Sequence, residues 1–311
     1  MIPVVAMLAS PAPAWSQFKE PELTDLTANR GLEWGATLSS DMLEAYWVVS
    51  EGNNQWDVWE AHRESIDAPW EDAEPLDIVN TGKLESSPHL SNDGLTLTFA
   101  SQGRDGGYGG LDLWQTYRAS RDAPWKEPVN MGPTINTRRN EANATFTTDG
   151  LEVIFNGGCI GPCSPSRLRR STRDTLADEW TTPEEMTPSG RGDEVGSAAH
   201  PSLSPVGLSL YFNKTGSFGN WDGFVSKRPS LDATFGPGEN VGAPVSTNER
   251  DTCVRVAPDG SLYFGRWSGS LRILRAEAES VTSLFGDFDA NGVLDISDID
   301  DLLGRVAAGD N

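Results

Sequence analysis

An aromatic residue recurs every 55 positions along most of this chain of 311 residues. Trp70, Trp125, Trp180 and Phe235 end four related segments, which read DAPW, DAPW, ADEW and DATF. Self-similarity at a fixed period of this length is typical of architectures in which one small unit is repeated and stacked. The period therefore restricts the chain to a repeat fold before any other feature is considered.

Two further markers keep the same register. The first is a hairpin such as SNDGLTLTFA, a turn followed by alternating apolar residues, whose five copies begin at positions 39, 91, 147, 204 and 257. The second is an alternating segment such as LDLWQTYRAS. In the second copy these patterns predict strands at 87–91, 95–101, 111–119 and 129–132, with no helical periodicity between them. Four antiparallel strands per unit are typical of one blade of a β-propeller.

The start of the chain supplies a piece that the fifth copy lacks. Five hairpins are followed by only four aromatic closing segments, because the last copy ends after LRILRAEAES. FKEPEL at 18–23 is a near copy of WKEPVN at 125–130, so Phe18 should take the missing aromatic position. A strand shared between the two ends removes open sheet edges. The sequence predicts an all-β, five-bladed β-propeller closed by the N-terminal strand.

The second copy carries a family resemblance. LSNDGLTLTFAS and GGYGGLDLW resemble the WD40-like PD40 repeats of TolB-type propellers, and the likeness extends over about residues 18 to 280. Met42 departs from the pattern at a turn glycine, and Arg167–Arg169 departs where the pattern has Asp-x-Trp. The resemblance implies a propeller domain over 15–280. It implies no single activity, because propellers serve binding, scaffolding and catalysis alike.

Charge and the N-terminus bear on partners and location. The net charge of -22 disfavours nucleic acid and anionic membranes as partners, and no apolar run is long enough to span a bilayer. Residues 1–14, MIPVVAMLASPAPA, are similar to the tail of a secretory signal peptide but lack its positive start. We expect a secreted protein, extracellular or periplasmic, with a chance apolar start as the alternative. Cys159 and Cys163 are either a loop disulfide or two free thiols.

The segment DFDANGVLDISD, residues 287–298, has the spacing of a calcium-binding loop. Oxygen ligands fall at loop positions 1, 3, 5, 9 and 12, and a glycine at position 6 permits a sharp turn. A hard cation such as calcium (Ca2+) requires several oxygens that converge on one point. The predicted ligands are the side chains of Asp287, Asp289, Asn291, Asp295 and Asp298 and the backbone carbonyl of Val293. An acidic tail without a specific ion is the alternative.

This loop and the amphipathic stretch after it resemble a type I dockerin repeat, an EF-hand-like unit. A dockerin carries two such units, and one is visible in 281–311. The resemblance implies a protein partner, of the cohesin kind, with Ile296 and Ser297 at the recognition positions. We therefore expect a partial dockerin-like calcium-binding repeat after the propeller.

Carboxylates recur just before the innermost, first strand of the repeats, and they are the candidate catalytic residues: Glu33, Glu85, Glu141 and Asp251. Two interpretations are open. Some five-bladed propellers are glycoside hydrolases that use a pair of carboxylates from such a funnel. Alternatively, copies at equivalent positions accept backbone hydrogen bonds at the entrance of each blade, because catalysis needs carboxylates in different environments. In the fourth copy the register is blurred near Asp193 and Glu194.

Aromatic residues divide into two groups. Trp59, Trp114, Trp125 and Trp180 belong to the repeat and are expected to pack between blades. Tyr108 and Trp221 fall in predicted connecting loops, where they are candidates for stacking against sugar rings or a peptide. Asp57, Asp112 and Asp222 precede the third strands and are expected to fix turns.

These features favour a secreted, non-catalytic binding or scaffold propeller, with a calcium-binding tail that tethers it to a protein partner. A polysaccharide or a peptide is the expected ligand. The alternative is a glycoside hydrolase that acts on polysaccharide through carboxylates in the propeller funnel.

The calcium loop leads to the first testable prediction. Calorimetric titration of the whole chain with calcium should show a binding event that Asp287→Ala removes, because position 1 of the loop supplies a direct carboxylate ligand. Equal heats for the two proteins would refute the assignment.

Overall fold

The computed structural model describes residues 18–52, 55–159, 167–186, 198–215 and 221–278. All regular structure in these ranges is β, so they contain no helix that could cross a membrane. The strands are β1 (Glu22–Leu23), β2 (Leu32–Leu38), β3 (Glu44–Ser50), β4 (Trp56–His62), β5 (Glu74–Pro75), β6 (Leu84–Leu90), β7 (Thr96–Gln102), β8 (Leu111–Tyr117), β9 (Val129–Asn130), β10 (Asn140–Phe146), β11 (Glu152–Cys159), β12 (Arg167–Thr172), β13 (Glu184–Glu185), β14 (Ala199–Leu203), β15 (Ser209–Thr215), β16 (Trp221–Lys227), β17 (Glu239–Asn240), β18 (Arg250–Val256), β19 (Leu262–Trp267) and β20 (Leu271–Ala276).

The strands are organised as antiparallel units of four in chain order. Unit 1 is β2 to β5, unit 2 is β6 to β9, unit 3 is β10 to β13 and unit 4 is β14 to β17. In unit 5, β18, β19 and β20 are joined by β1 from the start of the chain. Units 1 and 2 also share a single parallel pairing of Trp56 with Leu84. The prediction of an all-β fold is confirmed for the described residues.

The N-terminal segment pairs with the end of unit 5. β1 runs antiparallel to β20, and Phe18 forms an isolated bridge with Ala278. The Lys19 N–H donates to the Glu277 carbonyl at 2.8 Å. Phe18 is 7% exposed and packs in a cluster that contains Phe264. Residues from opposite ends of the described chain therefore share one sheet and one apolar cluster.

The first strand of each unit contains a β-bulge at an equivalent position. One extra residue enters the pairing with the second strand, and a left-handed backbone occurs at Gly35, Ser87, Asn143, His200 and Cys253, with φ between 53° and 70°. A bulge disrupts strict alternation. The pattern therefore placed the start of β6 at residue 87, three residues later than its actual start at Leu84.

An arginine after the third strand accounts for the aromatic period. In units 1 to 4 its guanidinium lies 4.3 to 4.5 Å from the centroid of the closing aromatic ring, in the pairs Arg63–Trp70, Arg118–Trp125, Arg173–Trp180 and Arg228–Phe235. Its Nε also donates to a carbonyl of the first hairpin turn, on Met42, Gly94, Gly150 and Gly207. One side chain thus ties the turn to the closing segment of its unit.

Two of these arginines also join neighbouring units. Arg118 of unit 2 pairs with Glu44 of unit 1 at 2.6 Å, and Arg228 of unit 4 pairs with Glu152 of unit 3 at 2.9 Å. All four side chains are 8% exposed or less. Buried ions require partners, so the first contact fixes unit 2 against unit 1 and the second fixes unit 4 against unit 3.

The apolar core lies between neighbouring sheets. One cluster combines Tyr46 and Val58 of unit 1 with Phe99 and Trp114 of unit 2. Trp125 packs against the same cluster, with its ring 6.2 Å from that of Tyr46. Trp59 belongs to a second apolar cluster, and Trp180 packs against a third.

The pairing of the two ends predicts a stability effect. Phe18→Ala should lower the free energy of unfolding by about 3 kcal/mol, because it removes a buried aromatic ring from the cluster beside unit 5. The matched control is Leu23→Ala in β1, which is 67% exposed and should change stability by about 0.5 kcal/mol or less. Urea unfolding measures both, and equal effects would mean that Phe18 is not part of the core.

Candidate functional site

The four candidate carboxylates occupy one equivalent position, two residues before the bulge. The residues opposite them on the second strand are Val49 for Glu33, Ser101 for Glu85, Gly157 for Glu141 and Arg266 for Asp251. All four carboxylates are 0 or 1% exposed. In unit 4 the equivalent position holds Ala198, whereas Asp193 and Glu194 lie outside the described residues.

The four carboxylates share a structural task. Each accepts a backbone N–H from the loop that leads into its unit, at 2.8 to 3.0 Å, and the donors are Ala28, Thr81, Thr137 and Thr247. The three threonine hydroxyls donate to the same carboxylates at 2.7 to 3.0 Å. Each carboxylate therefore fixes the loop that leads into its unit by hydrogen bonding.

Their surroundings nevertheless differ from unit to unit. Glu85 accepts a further hydrogen bond from Ser101 Oγ at 2.7 Å, and Asp251 accepts one from Arg266 Nε at 2.7 Å. Glu141 faces Gly157, which has no side chain to donate. Burial raises the pKa of Glu141, and the negative charge of Asp112 raises it further. Hydrogen bonds from Thr137 act in the opposite direction, but the net effect is a raised pKa.

Asp112 lies at the start of β8, close enough for its charge to act on Glu141. Its Oδ2 accepts the Tyr108 N–H at 2.6 Å, and the residue is 2% exposed. Its Oδ1 is buried and has no hydrogen-bond partner among the described residues. Burial raises the pKa of Asp112, whereas N–H groups of Tyr108 and Gly109 lower it. An unsatisfied buried carboxylate is costly, and such groups are concentrated at functional sites.

The loop over Asp112 brings an exposed aromatic residue to the pair. Tyr108 is 48% exposed. A Cβ on Gly107 would lie 2.5 Å from Asp112 Oδ2, so only glycine allows the loop to lie this close. The Arg169 side chain lies against Gly157, because its Cδ would be only 3.0 Å from a Cβ built on that glycine. We call these residues the Asp112–Glu141 cluster: Tyr108, Asp112, Glu141, Gly157 and Arg169.

Arg169 was missed by sequence reasoning, although a signal was present. The Nε of Arg169 is buried with no hydrogen-bond partner among the described residues, and its charge lowers the pKa of Glu141. It stands at the position that Trp59 and Trp114 hold in units 1 and 2, so the departure from the repeat marks the site.

Trp221 requires a correction. It is the first residue of β16 rather than a loop residue, and it is half-buried with its ring 5.6 Å from that of His200. Tyr108 belongs to unit 2 and Trp221 to unit 4, so the structure does not bring the two candidate stacking residues into one unit.

A cavity of about 250 Å3 lies at the opposite ends of the first strands, and we call it the strand-end cavity. It is lined by the last residues of those strands: Leu38, Leu90, Phe146, Leu203 and Val256. His89 also lines it. Burial lowers the pKa of His89 and of His200 to about 3, and the positive charge of Arg255 adds to both effects. Both imidazoles are therefore neutral at physiological pH.

Metal and cysteine assignments remain mostly outside the described ranges. Those ranges contain no group of three or more His, Cys, Asp or Glu side chains that could hold a metal ion. The predicted loop at 287–298 and Cys163 lie beyond them. Cys253 is a buried free thiol, and burial raises its pKa to about 11.

No protein-family model matches the chain, and no curated protein does either. Solved structures do match. The alpha-L-arabinofuranosidase of Podospora anserina, solved with cellotriose, is 12% identical with a TM-score of 0.55, and the match covers 87% of this chain and 99% of that chain. A thermostable family-43 glycoside hydrolase is 13% identical with a TM-score of 0.54, covering 82% and 91%.

TolB from Acinetobacter baumannii also matches, at 15% identity and a TM-score of 0.47, over 79% of this chain. The chain spans about half of that protein, since 55% of TolB is covered. At a TM-score below 0.5 this match supports no argument about function. The two matches with a TM-score above 0.5 show that the chain has the β-propeller fold.

The comparisons correct one expectation from the sequence. The interpretation as a non-catalytic binding or scaffold propeller is wrong, because the solved structures that share the fold at a TM-score above 0.5 include the two glycoside hydrolases described above, of which the match covers 99% and 91%.

The raised pKa of Glu141 predicts a pH-dependent effect on stability. Because the folded-state pKa exceeds the ordinary value, the contribution of this group is present in full at low pH and is lost as pH rises through the raised pKa. The free energy of unfolding of Glu141→Gln minus that of wild type should therefore increase from about pH 4 to about pH 7. Urea unfolding across this range measures the difference.

Asp41→Asn is the control, because its effect on the free energy of unfolding should depend on pH in the opposite direction. A hydrogen bond from Arg121 holds the pKa of Asp41 well below its ordinary value, so its contribution is present above that value and is lost as pH falls. The corresponding difference for Asp41→Asn should be nearly constant from about pH 4 to about pH 7 and should increase as pH falls below about 4. A pH-independent difference for Glu141→Gln would show that this carboxyl group is not perturbed.

Proposed function

We propose that the chain is a glycoside hydrolase that acts on a polysaccharide, with the Asp112–Glu141 cluster as its active site. The observation that carries this proposal is a pair of carboxyl groups on neighbouring units, both with pKa values raised by burial, beside an exposed tyrosine. The shared fold of two glycoside hydrolases supports it.

The chemistry requires two carboxyl groups in different states. One must protonate the leaving oxygen of the glycosidic bond, and the other must act as nucleophile or activate water. Glu141 is suited to be the acid, because burial and the charge of Asp112 favour its protonated form. Asp112 is suited to be the carboxylate, because backbone N–H groups of Tyr108 and Gly109 stabilise its charge. The unpartnered Arg169 Nε can stabilise negative charge that develops beside them.

Substrate access involves the loop that contains Tyr108. Asp112 and Glu141 are 2% and 1% exposed, so a sugar cannot reach them while the loop is in place. We propose that residues 103–110 move away on substrate binding and that the Tyr108 ring then stacks on a sugar face. The same movement would break the hydrogen bond between the Tyr108 N–H and Asp112 and leave the carboxylate free to react.

The proposed active site depends on a complete ring. We propose that the units form five blades and that β1 closes the ring. The antiparallel pairing of β1 with β20 supports closure, as do the contacts of β2 with β18, β19 and β20. A closed ring would hold units 2 and 3 rigidly enough to position Asp112 against Glu141.

A second part of the proposal concerns the two terminal segments. We propose that residues 287–298 bind calcium and present the following segment to a protein partner of the cohesin kind, and that the protein is exported. The loop spacing and the apolar N-terminus support these two statements. Export is consistent with an enzyme whose substrate is an extracellular polysaccharide.

An activity assay tests the proposal. Arabinan, arabinoxylan and a series of aryl glycosides should include at least one substrate that wild type hydrolyses, and Glu141→Gln should lower its kcat at least about 100-fold by removing the acid. The matched control is Glu85→Gln at the equivalent position of unit 2, which should retain most activity because the hydrogen bonds of Glu85 in the described part of the chain come from its entrance loop and from Ser101.

Two results would contradict the proposal. Absence of hydrolysis across the whole panel would remove the enzyme interpretation. Equal losses in Glu141→Gln and Glu85→Gln, with equal losses of stability, would show that both carboxylates act only on the fold.

A further inference from the structure

We propose that the strand-end cavity is a binding site for a small molecule that carries a carboxylate, and that Arg255 is its anchor. The site lies at the opposite ends of the first strands from the Asp112–Glu141 cluster, so it is separate from the proposed active site and does not rest on it.

Arg255 is buried with most of its donors unused. The residue is 4% exposed and lines the cavity. Its Nη1 donates to the Pro201 carbonyl at 3.1 Å, whereas Nε and Nη2 are buried and have no hydrogen-bond partner among the described residues. These two nitrogens lie on one edge of the planar guanidinium, with N–H bonds that point the same way. A carboxylate accepts such a pair with its two oxygens.

The charge of Arg255 is not compensated by a neighbouring acid. No ion pair of Arg255 with Asp or Glu occurs in the described part of the chain. The titratable groups that act on it or respond to it are His89, His200 and Cys253, none of which is an acid that is ionised at neutral pH. A buried cation without a counter-charge is strongly unfavourable. A bound anion would supply that charge.

Hydroxyl groups beside Arg255 can complete the site. Thr37 Oγ1 accepts the Leu90 N–H at 3.3 Å, and Ser202 Oγ accepts the Val256 N–H at 3.1 Å. Each hydroxyl hydrogen is therefore available to donate. Both residues line the cavity, at the same register position of their strands as Arg255. The donors thus converge from units 1, 4 and 5.

The size and the opening of the cavity suit a small organic acid. Its volume of about 250 Å3 exceeds the space that a single inorganic ion requires. Asp93 and Asp149 line the exposed side, where they accept hydrogen bonds from Ser91 and Thr147. These two carboxylates would repel an anion at the entrance, so the ligand is expected to carry one acidic group, held at Arg255, and a neutral remainder.

Calorimetry with sodium acetate as the probe tests the proposal. The whole chain is titrated with acetate against a sodium chloride background of constant ionic strength. Wild type should bind acetate with a saturable heat, and Arg255→Gln should weaken the affinity at least about tenfold, because the two-pronged hydrogen bond and the charge are lost. Arg173→Gln is the matched control, since Arg173 lines the same cavity but already donates to the Gly150 and Leu176 carbonyls.

The outcomes separate the alternatives. Identical heats for wild type and Arg255→Gln would overturn the proposal, and so would equal competition by chloride or sulfate, which would indicate a site for any anion. If Arg255→Gln fails to fold, Arg255→Lys keeps the charge but lacks the fork, and it should still bind acetate more weakly than wild type. Unchanged acetate affinity in Arg255→Lys would contradict the role of the Nε and Nη2 edge.

Discussion

The repeated arginine after the third strand is the contact on which each of the first four units depends. It binds the first turn through a carbonyl and covers the closing aromatic ring, so the two ends of a unit are held by one side chain. In units 2 and 4 the same arginine also pairs with a glutamate of the preceding unit. Unit 5 has Ala278 opposite Phe18 instead. Its closing strand therefore relies on backbone pairing and on burial of the Phe18 ring.

The repeated carboxylate position keeps one structural task in four units, although its surroundings differ from unit to unit. Glu33, Glu85, Glu141 and Asp251 all hold an entrance loop, so a carboxylate is needed there for the fold. What differs is the residue across the sheet. Ser101 and Arg266 donate hydrogen bonds to their carboxylates, whereas Val49 and Gly157 have no side-chain donor. For Glu141, the charges of Asp112 and Arg169 also act on the pKa. A repeat fold thus allows the surroundings of one position to differ between units while the hydrogen bond to the entrance loop is kept.

The two ends of the first strands have opposite electrostatic character. At their starts, buried carboxylates accept hydrogen bonds from loops, and the pair on units 2 and 3 has raised pKa values. Near their ends, Arg255 lies beside neutral imidazoles with two unused donors. The bulge separates the two regions, because it inserts a residue between the carboxylate and the side chains that line the strand-end cavity. A carboxylate ligand at one end and a sugar at the other would therefore bind without competing directly.

The sequence by itself determined the repeat, the β-propeller fold and the unit to which each motif belongs, because aromatic spacing and alternation depend only on neighbours along the chain. It also pointed to Phe18 as a closing residue and to the carboxylates at one repeated position. The tertiary structure decided the pKa shifts, since burial raises the pKa of both Glu141 and Asp251, and Asp112 and Arg169 act on the pKa of Glu141 from other strands. It likewise showed that Arg255 lacks a counter-charge, and that Trp221 belongs to a strand. Such properties arise from desolvation and from contacts between distant segments, which no local pattern encodes.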